Sequence, residues 1–329
     1  MLGTVRILTN FERFPENWET ASGLRGTACV ASGFSEFARR LNNCDAVIVN
    51  CDVRLTLQLQ ALFCLAPWKR KPMVAVDLVL RKPRMLADRL LVRLKKLLLA
   101  RVDLFLHYFK DLSGYQRYYG IGEDRSRYVA FKPNIRFRYR TEPNPEGEYV
   151  LCMGRSMRDY DTFFEAIATL PYPAAIPRPN FDDLRTNQSR FSRPVVQLPP
   201  QVRVIDDDGS PEAMISLLQR AQLVVLPVLK DSICASGLGT YLNAMLMGKC
   251  VILSEGPGAS DVLEDQALLV PREDPQALAA MIRRAWEDDA LRRTTAERGY
   301  RYALALGGEQ ELYQRILAEL DGWETKGHS

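Results

Sequence analysis

Short apolar runs alternate with helix-like stretches twice along this chain, and that alternation constrains the fold more than any other feature. Strands buried on both faces of a parallel sheet read as brief, continuous apolar segments, joined by helical crossovers. In the first half, Val5–Thr9, Ala46–Asn50, residues 73–79 and Leu104–His107 have this character, with helical stretches at 34–41, 55–65 and 84–100. In the second half the strand-like runs are 149–153, 203–205, 223–228, Cys250–Ser254 and 267–270. Helices are predicted between and after them at 160–169, 211–221, 239–247, Pro275–Glu287 and Asp289–Ala305. The predicted class is α/β: two Rossmann-like, doubly wound domains facing a central cleft, with ligands at the C-terminal ends of the strands.

At about 100–200 residues per domain, 329 residues suit two such units. The 47% hydrophobic and 26% charged composition excludes a disordered chain. No apolar run approaches the ~20 residues of a membrane span. The N-terminus enters a strand-like segment without a basic-then-apolar leader, and the seven scattered cysteines contain no C-x-x-C pair. A cytoplasmic protein without disulfides or structural zinc is therefore expected. Residues 1–130 carry 21 Lys and Arg against 12 Asp and Glu, whereas residues 131–329 carry 23 against 28. A basic half joined to an acidic half predicts two domains with different partners. The proline-bearing segment 134–147 is the predicted linker, between domains at 1–133 and 148–308. A final helix, 309–320, follows Gly307-Gly308 and is expected to pack back on the first domain.

Two segments carry chemistry. In the first, an apolar strand ends near Pro227, a small-residue loop runs Ala235-Ser236-Gly237-Leu238-Gly239-Thr240, a helix follows, and Gly248 closes it. A glycine loop opening a helix presents unpaired N–H groups and the positive end of the helix dipole, which together suit an anion. The same pattern also fits a plain βαβ turn that needs glycine for its backbone. In the second, the strand 149–153 runs into Gly154, then Arg155 and Arg158, then a helix. Two arginines at a strand's C-terminal end suit a phosphate, since the guanidinium gives forked, charge-assisted hydrogen bonds. A solvated ion-pair face with Asp159 and Asp161 is the alternative there.

Together these segments resemble the donor half of a GT-B glycosyltransferase of the family 4 (group 1) type. The resemblance rests on strand-Gly154-Arg155 with Arg158 following and on Asn243-Ala244-Met245-Leu246-Met247-Gly248-Lys249-Cys250-Val251-Ile252. Glu255-Gly256-Pro257-Gly258 and the stretch from Leu268 to Leu278 complete it. It covers about residues 149–305; the first domain is similar only in layout. It implies a nucleotide diphosphate sugar as donor substrate, with no cofactor. Arg155, Arg158 and the amides of Ser236, Gly237, Leu238 and Gly239 would hold the diphosphate, with Gly154 at the turn. Val204, Ile205 and Pro227 would lie near the base. The family's two glutamates, eight positions apart, fall here on Ala235 and Asn243. The resemblance gives Asn243 the ribose as an uncharged hydrogen-bond acceptor and removes the donor-sugar contact at Ala235. It further implies retention of anomeric configuration.

Asp206-Asp207-Asp208 matches an oxygen-ligand metal pattern. It precedes Ser210-Pro211, a helix N-cap and first-turn pair, so an acidic turn and no metal are expected. His107, at the end of a first-domain strand, is the catalytic candidate as a general base, against a packed structural histidine. Asn10, Arg25, Asn50 and Asp77 are acceptor-side candidates, with Asp52 beside them. Arg25 belongs to a glycine-bearing loop, 22–26, expected to close over the cleft.

The segment between Arg81 and Arg101 reads as a basic amphipathic helix: Arg89, Arg93 and Lys96 on one face, Leu86, Leu90, Leu94 and Leu97 on another. Either the leucines enter the core and the basic face is solvated, or the helix docks on anionic lipid. The basic domain favours the second, a peripheral protein on the inner face of the membrane. No nucleic-acid-binding motif accompanies the charge. The sequence thus reads as a glycosyltransferase acting on a lipid-linked glycan or glycolipid. The alternative is a non-catalytic nucleotide-sugar-binding or scaffold subunit. A nicotinamide oxidoreductase is disfavoured, because no G-x-G-x-x-G follows Val5–Thr9.

Overall fold

The computed structural model describes residues 4–84, 86–135 and 144–321. Most of the predicted linker, the side chains of Leu86 and Arg89, and the terminal His328 lie outside the described residues. The chain forms two compact units, one holding Met1–Ala130 and Glu309–Ser329, the other Phe131–Gly308.

The first unit contains β1 (Val5–Thr9), β2 (Asn17–Glu19), β3 (Arg25–Val30), α1 (Gly33–Arg40), β4 (Ala46–Asn50), α2 (Val53–Leu65), β5 (Met73–Val76), α3 (Leu86–Leu99), β6 (Leu104–His107), α4 (Ser113–Tyr119) and β7 (Ser126–Tyr128). Its sheet runs β2-β3-β1-β4-β5-β6-β7, parallel except for the antiparallel β2–β3 pair. The apolar runs at β4, β5 and β6 are the buried centre, as their composition demands. The chain crosses β1 to reach β4, so the topological switch point lies between those two strands.

The edge differs from the sequence reading. Residues 22–26 are not a mobile loop: Leu24 is tied back to Thr20, and Arg25 begins β3. The Trp18 ring sits directly over Gly26, where any side chain would collide with it. The Arg25 side chain is exposed and pairs with Glu19 at 2.9 Å, which removes it as an acceptor contact. The reason is sequence-local: β3 alternates small and polar residues with one solvated face, so it lacks the apolar run of a central strand. The unit is completed by the last helix of the chain. Its Tyr313 ring packs edge-on against Phe11, centroids 5.5 Å apart, and Arg315 Nε donates to the Ala130 carbonyl.

The second unit contains β8 (Tyr149–Cys152), α5 (Tyr160–Ile167), β9 (Ala174–Pro177), α6 (Phe181–Thr186), β10 (Val202–Ile205), α7 (Pro211–Arg220), β11 (Ala221–Leu226), α8 (Leu238–Leu246), β12 (Cys250–Ser254), β13 (Leu268–Val270), α9 (Pro275–Glu287) and α10 (Asp289–Ala305). The final helix, α11 (Glu309–Asp321), belongs to the first unit. The second sheet is fully parallel, β10-β9-β8-β11-β12-β13, with its switch point between β8 and β11. Helix starts are fixed by side-chain caps: Asp159, Asn180, Ser210, Asp274 and Asp288 each accept from the backbone N–H three residues on. Lys249, fully buried, donates Nζ to the carbonyls of Glu146 and Gln219, and burial lowers its pKa to about 8.

Candidate functional site

Both strands at the second switch point end in turns that converge on one side chain. β8 leaves the sheet through Gly154, at φ +114°, and Met157, at φ +53°. Arg158 is then gripped along its backbone: its N–H donates to Ser189 Oγ and its carbonyl accepts from Arg190 N–H. The flanking Met157 carbonyl and Asp159 N–H bond to Leu229 and Pro227 in the segment after β11. The Arg158 side chain is turned inward and only 1% exposed. Its guanidinium lies against two glycines. A Cβ on Gly154 would come within 2.7 Å of Nε, and one on Gly237 within 2.6 Å of Nη2. Glycine at these two positions therefore makes the room that the cation occupies.

The guanidinium is poorly satisfied. Nη1 reaches the Pro227 carbonyl at only 3.5 Å, and Nε has no partner. The adjacent Asp159 carboxylate is committed to Arg190, Thr162 and the α5 N-terminus. Burial pushes the Arg158 pKa down. A buried charge normally requires a paired counter-charge. Here the nearest complement is the start of α8, where Gly237 is a left-handed N-cap with no side-chain cap, leaving first-turn N–H groups for a ligand. Ser236 Oγ is held at 2.9 Å from Ser232 Oγ beside that turn. A cation and a helix N-terminus facing one small-residue loop form a cradle for a phosphate-like anion.

The other donor-side candidates divide. Arg155 points outward, its side chain 75% exposed, and pairs with Asp183 at 3.2 Å. Pro227 lies at the cradle through its carbonyl. Val204 and Ile205 end the half-buried edge strand β10, with β9 between it and β8. Asn243 requires correction: it is 2% exposed, and its Oδ1 accepts from the N–H groups of Asn134 and Ile135 at 2.7 and 3.1 Å. Its acceptor capacity is spent holding the segment that enters the second unit, so it is not offered to a ribose. Asp206, Asp207 and Asp208 form the acidic turn: Asp206 pairs with Arg178, and the other two accept from the N–H groups of Gly209 and Ser210. No group of three or more metal-ligating side chains occurs among the described residues.

In the first unit, His107 also requires correction. The ring is 1% exposed, packed among Phe105, Phe109 and Tyr115, with Nε2 at 3.3 Å from Ser126 Oγ. Burial depresses its pKa to about 4, so it is a neutral core residue, closed to substrate. Because the unfolded chain takes up that proton near pH 6.5, His107 costs stability as pH falls from 6.5 toward 4. Between pH 7 and 5 the parent should lose about 2 kcal/mol more than His107→Phe in urea unfolding. Asp77 acts with opposite sign, since burial raises its carboxyl to about 7, but it does so in both proteins. Equal pH slopes would refute the assignment.

The strand ends at the first switch point meet as the sequence placed them. Asn10 exchanges two hydrogen bonds with the backbone of Asn50, at 2.9 and 2.7 Å. The Cys51 thiol donates toward Asn50 Oδ1 at 3.3 Å and toward Asp77 Oδ2 at 3.8 Å. Cys51 and Asp77 both adopt left-handed φ, +54° and +46°, an unfavourable backbone for residues other than glycine. Sequence reasoning missed Cys51, because a single cysteine has no motif. Asp52 is excluded by its role as the N-cap of α2.

The family model for Glycosyl transferases group 1 matches residues 182–288. No curated protein matches the chain significantly. Among solved structures, Anabaena Alr3699/HepE in complex with UDP is similar at a TM-score of 0.65 and 16% identity, over 91% of this chain and 86% of that one. Sucrose-phosphate synthase from Thermosynechococcus elongatus is similar at 0.62 and 16%, over 97% and 89%. The α,α-trehalose 6-phosphate synthase from Burkholderia multivorans is similar at 0.60 and 15%, over 89% and 75%. At these identities the structures establish the shared fold, and the family-model match lies within the second unit. Residues 182–288, within the second unit, thus match the group 1 glycosyltransferase model, and the two parallel-sheet Rossmann-like units share the GT-B fold of the similar structures.

Proposed function

We propose that the chain transfers a sugar from UDP-sugar to a lipid-linked glycan or glycolipid, as a peripheral protein on the inner face of the membrane. The observation that carries the donor reading is the buried guanidinium of Arg158, its Nε without a partner, between Gly154 and the start of α8. UDP is favoured as the nucleotide because a similar fold has been solved with UDP bound. The Arg158 charge and the α8 amides would stabilise the diphosphate as negative charge builds on it. On this reading the acceptor oxygen bonds to the anomeric carbon on the face that the diphosphate leaves. The C–O bond to phosphate breaks, and the departing phosphate oxygen takes the acceptor proton, so configuration is retained. Asn10, Asn50 and Asp77 are the acceptor-side residues that remain, and Arg155 would meet the outer phosphate by exchanging its exposed partner Asp183.

A panel of nucleoside diphosphates in thermal unfolding tests the proposal. UDP at a hundred times its Kd should stabilise the chain by about 2.7 kcal/mol. A panel in which no nucleoside diphosphate raises the midpoint would remove the donor assignment. Turnover should survive EDTA, since the cradle supplies its own positive charge; activity lost to EDTA and restored by magnesium or manganese contradicts this. The scaffold reading is favoured by one observation, Ala235 and the committed Asn243 at the two glutamate positions. Hydrolysis of UDP-sugar by the purified chain alone decides against it, and its absence alongside tight UDP binding decides for it.

A further inference from the structure

Leu90, Leu91, Leu94 and Leu97 of α3 do not enter the core. Leu90, Leu94 and Leu97, spaced i, i+4, i+7 along one stripe, are 71%, 54% and 69% exposed, and Leu91 beside them is 51% exposed. An apolar helix stripe normally faces a core; here the inward side is carried instead by Leu99, with Val92 partly buried. The neighbouring helix also ends in exposed apolar groups. α2 packs beside α3, and at its C-terminal end Leu65 and the following Trp68 are 82% and 80% exposed. Four exposed leucines clustered on one helix mark an interaction surface.

The chemistry around the stripe selects the partner. Residues 81–101 carry eight Lys and Arg against one acid, Asp88. Arg93 and Lys96 flank the leucines and are exposed, as is Arg101 beyond the helix end. Trp68 is followed by Lys69, Arg70 and Lys71. Leucines on one stripe, cations along its border and a tryptophan at the margin match a helix lying in the plane of an anionic bilayer. The leucines would reach the acyl boundary and the cations the headgroups. No helix among the described residues is long and apolar enough to cross a membrane, so this is surface attachment.

We propose that α3, with Leu65 and Trp68 of the adjoining segment, is the membrane-docking face of the first unit, held by leucine insertion as well as by charge. The proposal deepens the reading of a membrane-borne acceptor, and it is tested separately from donor chemistry. The full chain is floated with phosphatidylcholine vesicles and with vesicles containing phosphatidylglycerol. Binding is expected only to the anionic vesicles and should weaken as salt rises, because the attraction is screened over about 8 Å at physiological ionic strength. Each basic residue near such a surface is worth roughly fivefold in affinity, so Arg93→Glu with Lys96→Glu should weaken binding at least twenty-fivefold, to that order of magnitude. Replacing Leu90, Leu94 and Leu97 together with serine should weaken it more than tenfold at constant charge, and should make the residual binding more salt-sensitive. Far-UV circular dichroism and the thermal midpoint of both variants report folding of the first unit and should match the parent, and UDP binding, in the second unit, should be unchanged. Failure of the parent to float at low salt overturns the proposal, as does full flotation of the leucine variant. A parent dimer that the leucine variant converts to monomer, without vesicle binding, assigns the face to a second copy instead. Loss of UDP binding in the parent would overturn the donor reading alone.

Discussion

Arg158→Met should lose UDP and gain stability. A hydrogen bond to a charged group contributes about 1.5–3 kcal/mol, so affinity should fall roughly 10- to 150-fold by calorimetric titration. Without ligand, the same change removes a buried cation whose Nε has no partner and puts an unbranched apolar chain in its place. Replacing buried charge by packed apolar groups is commonly neutral or stabilising by about 1–4 kcal/mol. The Pro227 carbonyl left by Nη1 still accepts from Asp159 N–H, so no acceptor is stranded. The thermal midpoint of the unliganded variant should therefore hold or rise while UDP affinity collapses. A variant that binds UDP as the parent does would assign Arg158 to structure alone. One that unfolds readily without ligand would show that the apo protein already satisfies the charge.

Asn243→Leu should do the reverse. The side chain is buried and gives two backbone N–H groups, those of Asn134 and Ile135, their acceptor. Leucine fills similar space and satisfies neither. At about 1–3 kcal/mol for each of the two stranded buried donors, unfolding in urea should show a loss on the order of 2–6 kcal/mol. Asn243→Asp retains the acceptor oxygen and should recover most of that loss. UDP affinity of Asn243→Asp should stay within a few-fold of the parent, since the side chain is turned toward the chain entering the second unit. A stable Asn243→Leu, or an Asn243→Asp with sharply altered UDP affinity, would return this position to the ribose.

The central strands were legible because burial on both faces writes itself as uninterrupted Val, Ile and Leu. β3, with one face in solvent, and β9, enclosed by prolines at 171, 173 and 177, carry no such run and were missed. The turns at Gly154 and Gly237 were legible because glycine at a strand end reflects a backbone requirement. What the sequence left hidden was direction. Arg155 and Arg158 look equivalent three residues apart, yet the left-handed turn at Met157 sends one outward and the other between two glycines. Asn243 could be aligned with the family's glutamate, but the two amides that occupy it lie more than a hundred residues away in the chain. For His107, strand position was readable and the three aromatic rings closing over it were not. In α3 the heptad-like leucine spacing specified a stripe, and only the packing of neighbouring helices showed that nothing covers it.

The return of α11 to the first unit makes that unit discontinuous in the chain, with the whole of the second unit inserted before its last helix. During synthesis the ribosome delivers β1 through β7 first, but Tyr313, Ile316 and Leu317, buried in the finished unit, emerge only after the second unit. The apolar surface around Phe11 and Phe14 must wait uncovered while nearly two hundred further residues are made and the second unit folds. Domains that complete late expose such surface to aggregation. The vulnerable part of the first unit is therefore its returning helix: truncations or insertions that disturb residues 309–321 should damage the first sheet while leaving the second unit folded.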